Sequence, residues 1–172
     1  MQRSFASLSP QEALQVAISI EDRNAELYHS YAEMFTEFAD EESLEIAAVF
    51  WEMAIEERGH ALLLRQRYAE RYGSVECQVT EQDLVEIVEA PTLEGGDIFA
   101  PSEDGVPGRV RALKVALRAE VGALEFYAKL AEQTPQGPLR SMFCDLANVE
   151  DTHVAYLEAK LAQDKTEAER VQ

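Results

Sequence analysis

Met53-Ala54-Ile55-Glu56-Glu57-Arg58-Gly59-His60 is the stretch on which the fold turns. Glu57 and His60 stand three apart, so on a helix both side chains leave from one face. Phe50, Met53, Ala54, Ala61, Leu64 and Tyr68 recur around them at helical spacing and mark that face as buried. A carboxylate and an imidazole inside an apolar stripe are costly unless something pairs with them. Near the other end of the chain the pattern returns. Phe143, Leu146, Ala147, Glu150, His153 and Leu157 match Phe50, Met53, Ala54, Glu57, His60 and Leu64 one for one.

The partners of those two segments repeat as well. Ala17, Glu21, Glu26 and Tyr28 correspond to Ala116, Glu120, Glu125 and Tyr127, so the chain reads as two helical hairpins of common pattern. Ser9-Pro10-Gln11-Glu12 opens the first helix, with Ser9 as cap, Pro10 at the first helical position and Glu12 completing a capping box. Its stripe runs Leu14, Ala17, Ile18, Glu21, Ala25, Tyr28, Ala32, Phe35. After a short connection the second helix spans about 43–72, with Gly73 as its stop. Residues 74–108 break the periodicity, with a short helix capped at Thr80-Glu81-Gln82-Asp83 and a glycine- and proline-bearing loop. That length serves as a crossover before helices over about 108–133 and 138–163, and a frayed polar tail from Asp164. The expected fold class is therefore all-α, a four-helix bundle with one long crossover, in a single domain over 1–172.

Six polar residues stand on buried faces near the midpoints of the four helices: Glu21, Glu57, His60, Glu120, Glu150 and His153. One glutamate from each of two helices and one Glu-x-x-His from each of the others is a ligand set for two divalent first-row metals. Four carboxylates balance two divalent charges, whereas without the ions like charges are held together. Glu26 and His29 share the Glu-x-x-His spacing but lie with Asp22 and Glu33 on the polar face, which sets them apart from the ligands. Tyr28 and Tyr127 fall two turns after Glu21 and Glu120, as core aromatics or as phenols reaching a ligand carboxylate. Asn24, Asp145, Asn148 and Asp151 are candidates to orient the histidines. Trp51 and Cys144 read as packing residues.

The composition narrows the function classes. A net charge of −18 argues against recognition of nucleic acid or an anionic membrane surface through a basic face. Two cysteines, Cys77 and Cys144, cannot supply a four-thiolate site or a disulfide framework. Met1 to Pro10 lacks the pattern of a signal peptide, and no apolar run is long enough to span a bilayer, so a cytoplasmic protein is expected.

With Glu21 and Tyr28, Glu57-Arg58-Gly59-His60, Glu120 and Tyr127, and Glu150-Asp151-Thr152-His153 in place, the chain resembles the ferritin-like superfamily, and within it the di-iron domain of the rubrerythrin group. The resemblance covers about residues 10–163. It implies a four-helix bundle holding an oxo- or hydroxo-bridged pair of iron ions that reacts with peroxide or oxygen, in a protein that often dimerises. Manganese and zinc suit the same ligands. Two departures stand out: Ala123 occupies the place of a further family glutamate, and the four cysteines of a rubredoxin domain are lacking. A separate electron-donor protein is therefore expected. Peroxidase or ferroxidase chemistry is the leading expectation, beside iron binding or storage without turnover and a purely structural helical bundle.

Overall fold

The computed structural model describes residues 8–73 and 106–170, with side chains through 163. The described residues form four helices and no strand: α1 (Pro10–Phe38), α2 (Glu41–Tyr72), α3 (Gly108–Gln133) and α4 (Pro138–Arg170). They divide between two compact units, Met1–Ala90 and Pro91–Gln172, each built on one hairpin. The expected crossover, the short helix expected to start at Thr80-Glu81-Gln82-Asp83 and Cys77 lie outside the described residues.

In the first unit α1 begins as its capping box dictates. Ser9 Oγ accepts from the Glu12 amide at 3.2 Å, and Glu12 Oε2 accepts from the Ser9 amide at 2.9 Å. The helix ends at Ala39, whose φ of 56° lies in the left-handed region that favours glycine. Ala39→Gly should therefore raise the unfolding free energy by up to about 1 kcal/mol, read as a shift in the midpoint of urea denaturation. α2 starts two residues earlier than the sequence alone implies. Asp40 is its N-cap: Asp40 Oδ1 accepts from the Ser43 amide at 2.9 Å, and Ser43 Oγ donates to Asp40 Oδ2 at 2.6 Å. A carboxylate accepts both donors at once, which lets the helix begin at Glu41.

So short a connection makes α1 and α2 antiparallel, and side-chain contacts fix their register. At one end Gln11 and Gln15 both donate to Tyr68 Oη, at 2.8 and 2.9 Å. At the other, Phe50 is the hub of an aromatic cluster with Tyr28, Tyr31 and Phe35, at ring-centroid distances of 6.0, 5.2 and 6.1 Å. Fully burying one side chain of this size contributes about 1.5–3 kcal/mol. Asp22 and Arg65 pair on the outer surface near the middle. Ile18 is only half-buried, while Ile20, Gln15 and Asn24 are buried. The buried face of α1 is therefore wider than the apolar stripe alone outlines, as a long helix packed inside a larger core requires.

The second unit repeats the plan. Tyr127 stacks on Phe143 with ring centroids 6.4 Å apart and planes 22° from parallel, as Tyr28 stacks on Phe50 at 21°. Leu113, Ala116, Ala123, Leu146 and Leu157 fill the interior. α4 runs on to Arg170 rather than ending near 163. The reason is local: Lys165 to Arg170 are mostly strong helix formers, and neither glycine nor proline follows Gln163 to stop the helix.

Candidate metal centre

Each hairpin brings its own glutamate and Glu-x-x-His together. In the first unit α1 supplies Glu21 and α2 supplies Glu57 and His60. His60 Nδ1 lies 3.2 Å from Glu21 Oε2 and 3.9 Å from Glu57 Oε1. In the second, α3 supplies Glu120 and α4 supplies Glu150 and His153. His153 Nδ1 lies 3.2 Å from Glu120 Oε2 and 3.4 Å from Glu150 Oε2. All four glutamates are 0% exposed, His153 is 8% exposed and His60 is half-buried.

Four carboxylates with no exposed surface are a rare feature of a protein interior. Helix periodicity explains how they get there: Glu57 sits one turn from both Met53 and Ala61, and Glu150 one turn from Leu146, so the apolar stripe carries them inward. The same periodicity excludes other candidates. Asp145, Asn148 and Asp151 are exposed, on the far side of α4 from His153, and do not orient it. Each imidazole is instead held through Nδ1 by the glutamate of the neighbouring helix. Cys144, one residue beyond buried Phe143, is an exposed free cysteine and not a packing residue. Glu26 is exposed, and His29 lies edge-on to Trp51 at 4.7 Å with Nε2 3.4 Å from Glu33, away from either triad.

Ligand atoms about 2.0–2.2 Å from one ion lie within roughly 4.4 Å of each other. The histidine–glutamate separations of 3.2–3.9 Å fall inside that limit. In each triad one ligand atom per residue is found such that all lie within 4.8 Å of one another. The donor set of carboxylate oxygen and imidazole nitrogen thus fits a first-row divalent ion.

Burial alone would lower the pKa of His153. Hydrogen bonds from the imidazole to Glu120 and Glu150, and the charge of both carboxylates, outweigh it and push the imidazole up to about 11. Between two carboxylates, His153 is thus a proton standing where a cation would serve.

Residues 12–95 match the family model described as Rubrerythrin. Over that segment the chain is rubrerythrin-like. The match spans Glu21, Tyr28, Glu57 and His60, the whole of the first triad. Among solved structures the rubrerythrin-like chain is similar to an uncharacterised conserved protein of Magnetospirillum magnetotacticum, with 24% identity and a TM-score of 0.70 over 91% of this chain and 95% of that one. It is also similar to a hypothetical protein of Pyrococcus furiosus, with 25% identity and a TM-score of 0.69 over 91% and 90%. No curated protein matches. The fold is accordingly the all-α, ferritin-like four-helix bundle. Among the described residues no helix is long and apolar enough to cross a membrane.

Proposed function

We propose that this protein is a non-haem two-iron carboxylate protein of oxidoreductase type, acting on peroxide or oxygen. The observation that carries the proposal is the duplicated triad, two fully buried glutamates and a histidine in each hairpin. Glu21, Glu57 and His60 of the first hairpin and Glu120, Glu150 and His153 of the second would hold the ions, each histidine taking one. When bound, the ions supply the electrons that reduce peroxide or oxygen. The chain supplies everything else. Its apolar surroundings, Ala17, Tyr28, Ala54 and Phe50 in the first hairpin and Ala116, Tyr127 and Phe143 in the second, exclude bulk water. The four carboxylates balance the charge of two divalent cations, so burial is tolerable once the site is filled. Tyr28 and Tyr127 place phenols two turns from Glu21 and Glu120. Manganese is a second fit to this ligand set, and zinc competes for it. Electrons come from a separate donor protein, the family resemblance supports a homodimer, and the protein works in the cytoplasm.

Iron binding without turnover is the second reading, favoured by a net charge of −18 that concentrates cations at the surface. Stopped-flow mixing of the ferrous protein with peroxide or oxygen separates the two. Rapid oxidation followed by repeated cycles with added reductant is expected for the enzyme. A single stoichiometric oxidation would assign the protein to storage, and the absence of bound metal after growth in iron-rich medium would leave a structural bundle.

A further inference from the structure

Asn24 lies one turn beyond Glu21 on α1 and is 1% exposed. Neither its carboxamide oxygen nor its nitrogen has a hydrogen-bond partner among the described residues. Buried amides are seldom left this way, because the lost hydration is not replaced. The repeat shows that the fold does not demand an amide here. The matching place one turn beyond Glu120 is Ala123, fully buried and apolar. A carboxamide has thus been kept in one hairpin where a methyl group serves in the other.

Its place along the helix says what it faces. Glu21, Asn24 and Tyr28 form one stripe at three- and four-residue spacing, all buried. Glu21 meets His60 and Tyr28 stacks on Phe50, so Asn24 lies level with the part of α2 between them, which carries Glu57. Asn24 is uncharged and adds nothing to the balance between carboxylates and cations. Its NH₂ group is a donor, which none of the neighbouring glutamates can be when ionised. A buried donor without a partner, one turn from Glu21 on the same face of α1, suits a guest that brings lone pairs of its own. Building on the metal site proposed above, we infer that Asn24 is a positioning residue that donates a hydrogen bond from Nδ2 to a small anion or oxygen ligand entering beside the metal.

Azide is the probe, titrated into the iron-loaded, oxidised protein and followed by its charge-transfer absorption, with metal content measured on every sample. Asn24→Leu keeps the volume without the polar atoms, and Asn24→Ala reproduces the second hairpin. Both are expected to retain wild-type metal content and to weaken azide binding about tenfold, the loss of one hydrogen bond to a charged ligand. Metal-free Asn24→Leu is expected to melt no lower than the wild type, since an apolar group replaces an unpaired amide. Azide affinity within twofold of wild type in both variants, or no azide binding by the metal-loaded wild type, overturns the assignment. So does metal lost only from the variants, which would make Asn24 a metal ligand. A wild-type protein that takes up no metal would remove the metal site itself, and the role of Asn24 with it.

Discussion

Glu57→Gln and Glu150→Gln should each abolish stable loading of both metal ions, while Glu26→Gln leaves loading untouched. Glutamine keeps the volume of glutamate and removes its charge, so a loss of metal cannot be ascribed to a cavity. Partners that only orient a ligand are worth about 10–100-fold in metal affinity. Loss of a carboxylate that itself binds metal should exceed that, so at least a hundredfold weaker binding is expected. The effect should also appear in stability. A ligand at a hundred times its dissociation constant stabilises the folded state by about 2.7 kcal/mol. Saturating metal should therefore raise the melting temperature of the wild type and of Glu26→Gln, but not of Glu57→Gln or Glu150→Gln. Elemental analysis and calorimetry together measure both effects. Two ions per chain retained in Glu57→Gln would contradict its role.

The second large effect is on protons. The folded pKa of His153, about 11, lies above the ordinary histidine value of 6.5. A group raised in this way stabilises the metal-free fold fully below about pH 6.5, and the stabilisation is lost as pH rises towards 11. The metal-free wild type should accordingly lose stability across that window, and His153→Gln should lose less. For metal the sign is reversed. A cation bound at His153 Nδ1 must displace the proton held there between Glu120 and Glu150. Loading at pH 7.5 should release about one proton more from the wild type than from His153→Gln, counted by calorimetry in two buffers of different ionisation enthalpy. Equal release would mean that His153 does not bind metal.

How far these features can be read in the amino-acid sequence depends on how local their cause is. The four helices and both triads follow from periodicity. Glu57 and Glu150 are flanked at one-turn spacing by large apolar residues, whereas Glu26 and His29, with the same motif spacing, fall on the polar side. Stripe position, not the motif, separates ligand from decoy. Helix ends are less legible, because polar residues crowd the connection: Asp40 caps α2 by accepting from both the amide and the hydroxyl of Ser43. The left-handed Ala39 carries no signal, since glycine is the residue that usually marks such a position. Gln15 is concealed for another reason. A polar residue beside an apolar stripe reads as its edge, and only its hydrogen bond to Tyr68 on α2 shows that it lies inside. The histidine partners were ambiguous in sequence because Asp and Asn residues surround His153 on α4, while the group that holds it comes from α3.

The proposed function requires two metal ions in the two buried triads. Anaerobic titration of the metal-free protein with ferrous iron tests it most directly, with bound iron counted per chain and its environment read by Mössbauer spectroscopy. Saturation at two ions per chain, falling to none in Glu57→Gln and Glu150→Gln, is the result expected. Saturation below one ion per chain, or two ions unaffected by either substitution, would contradict it.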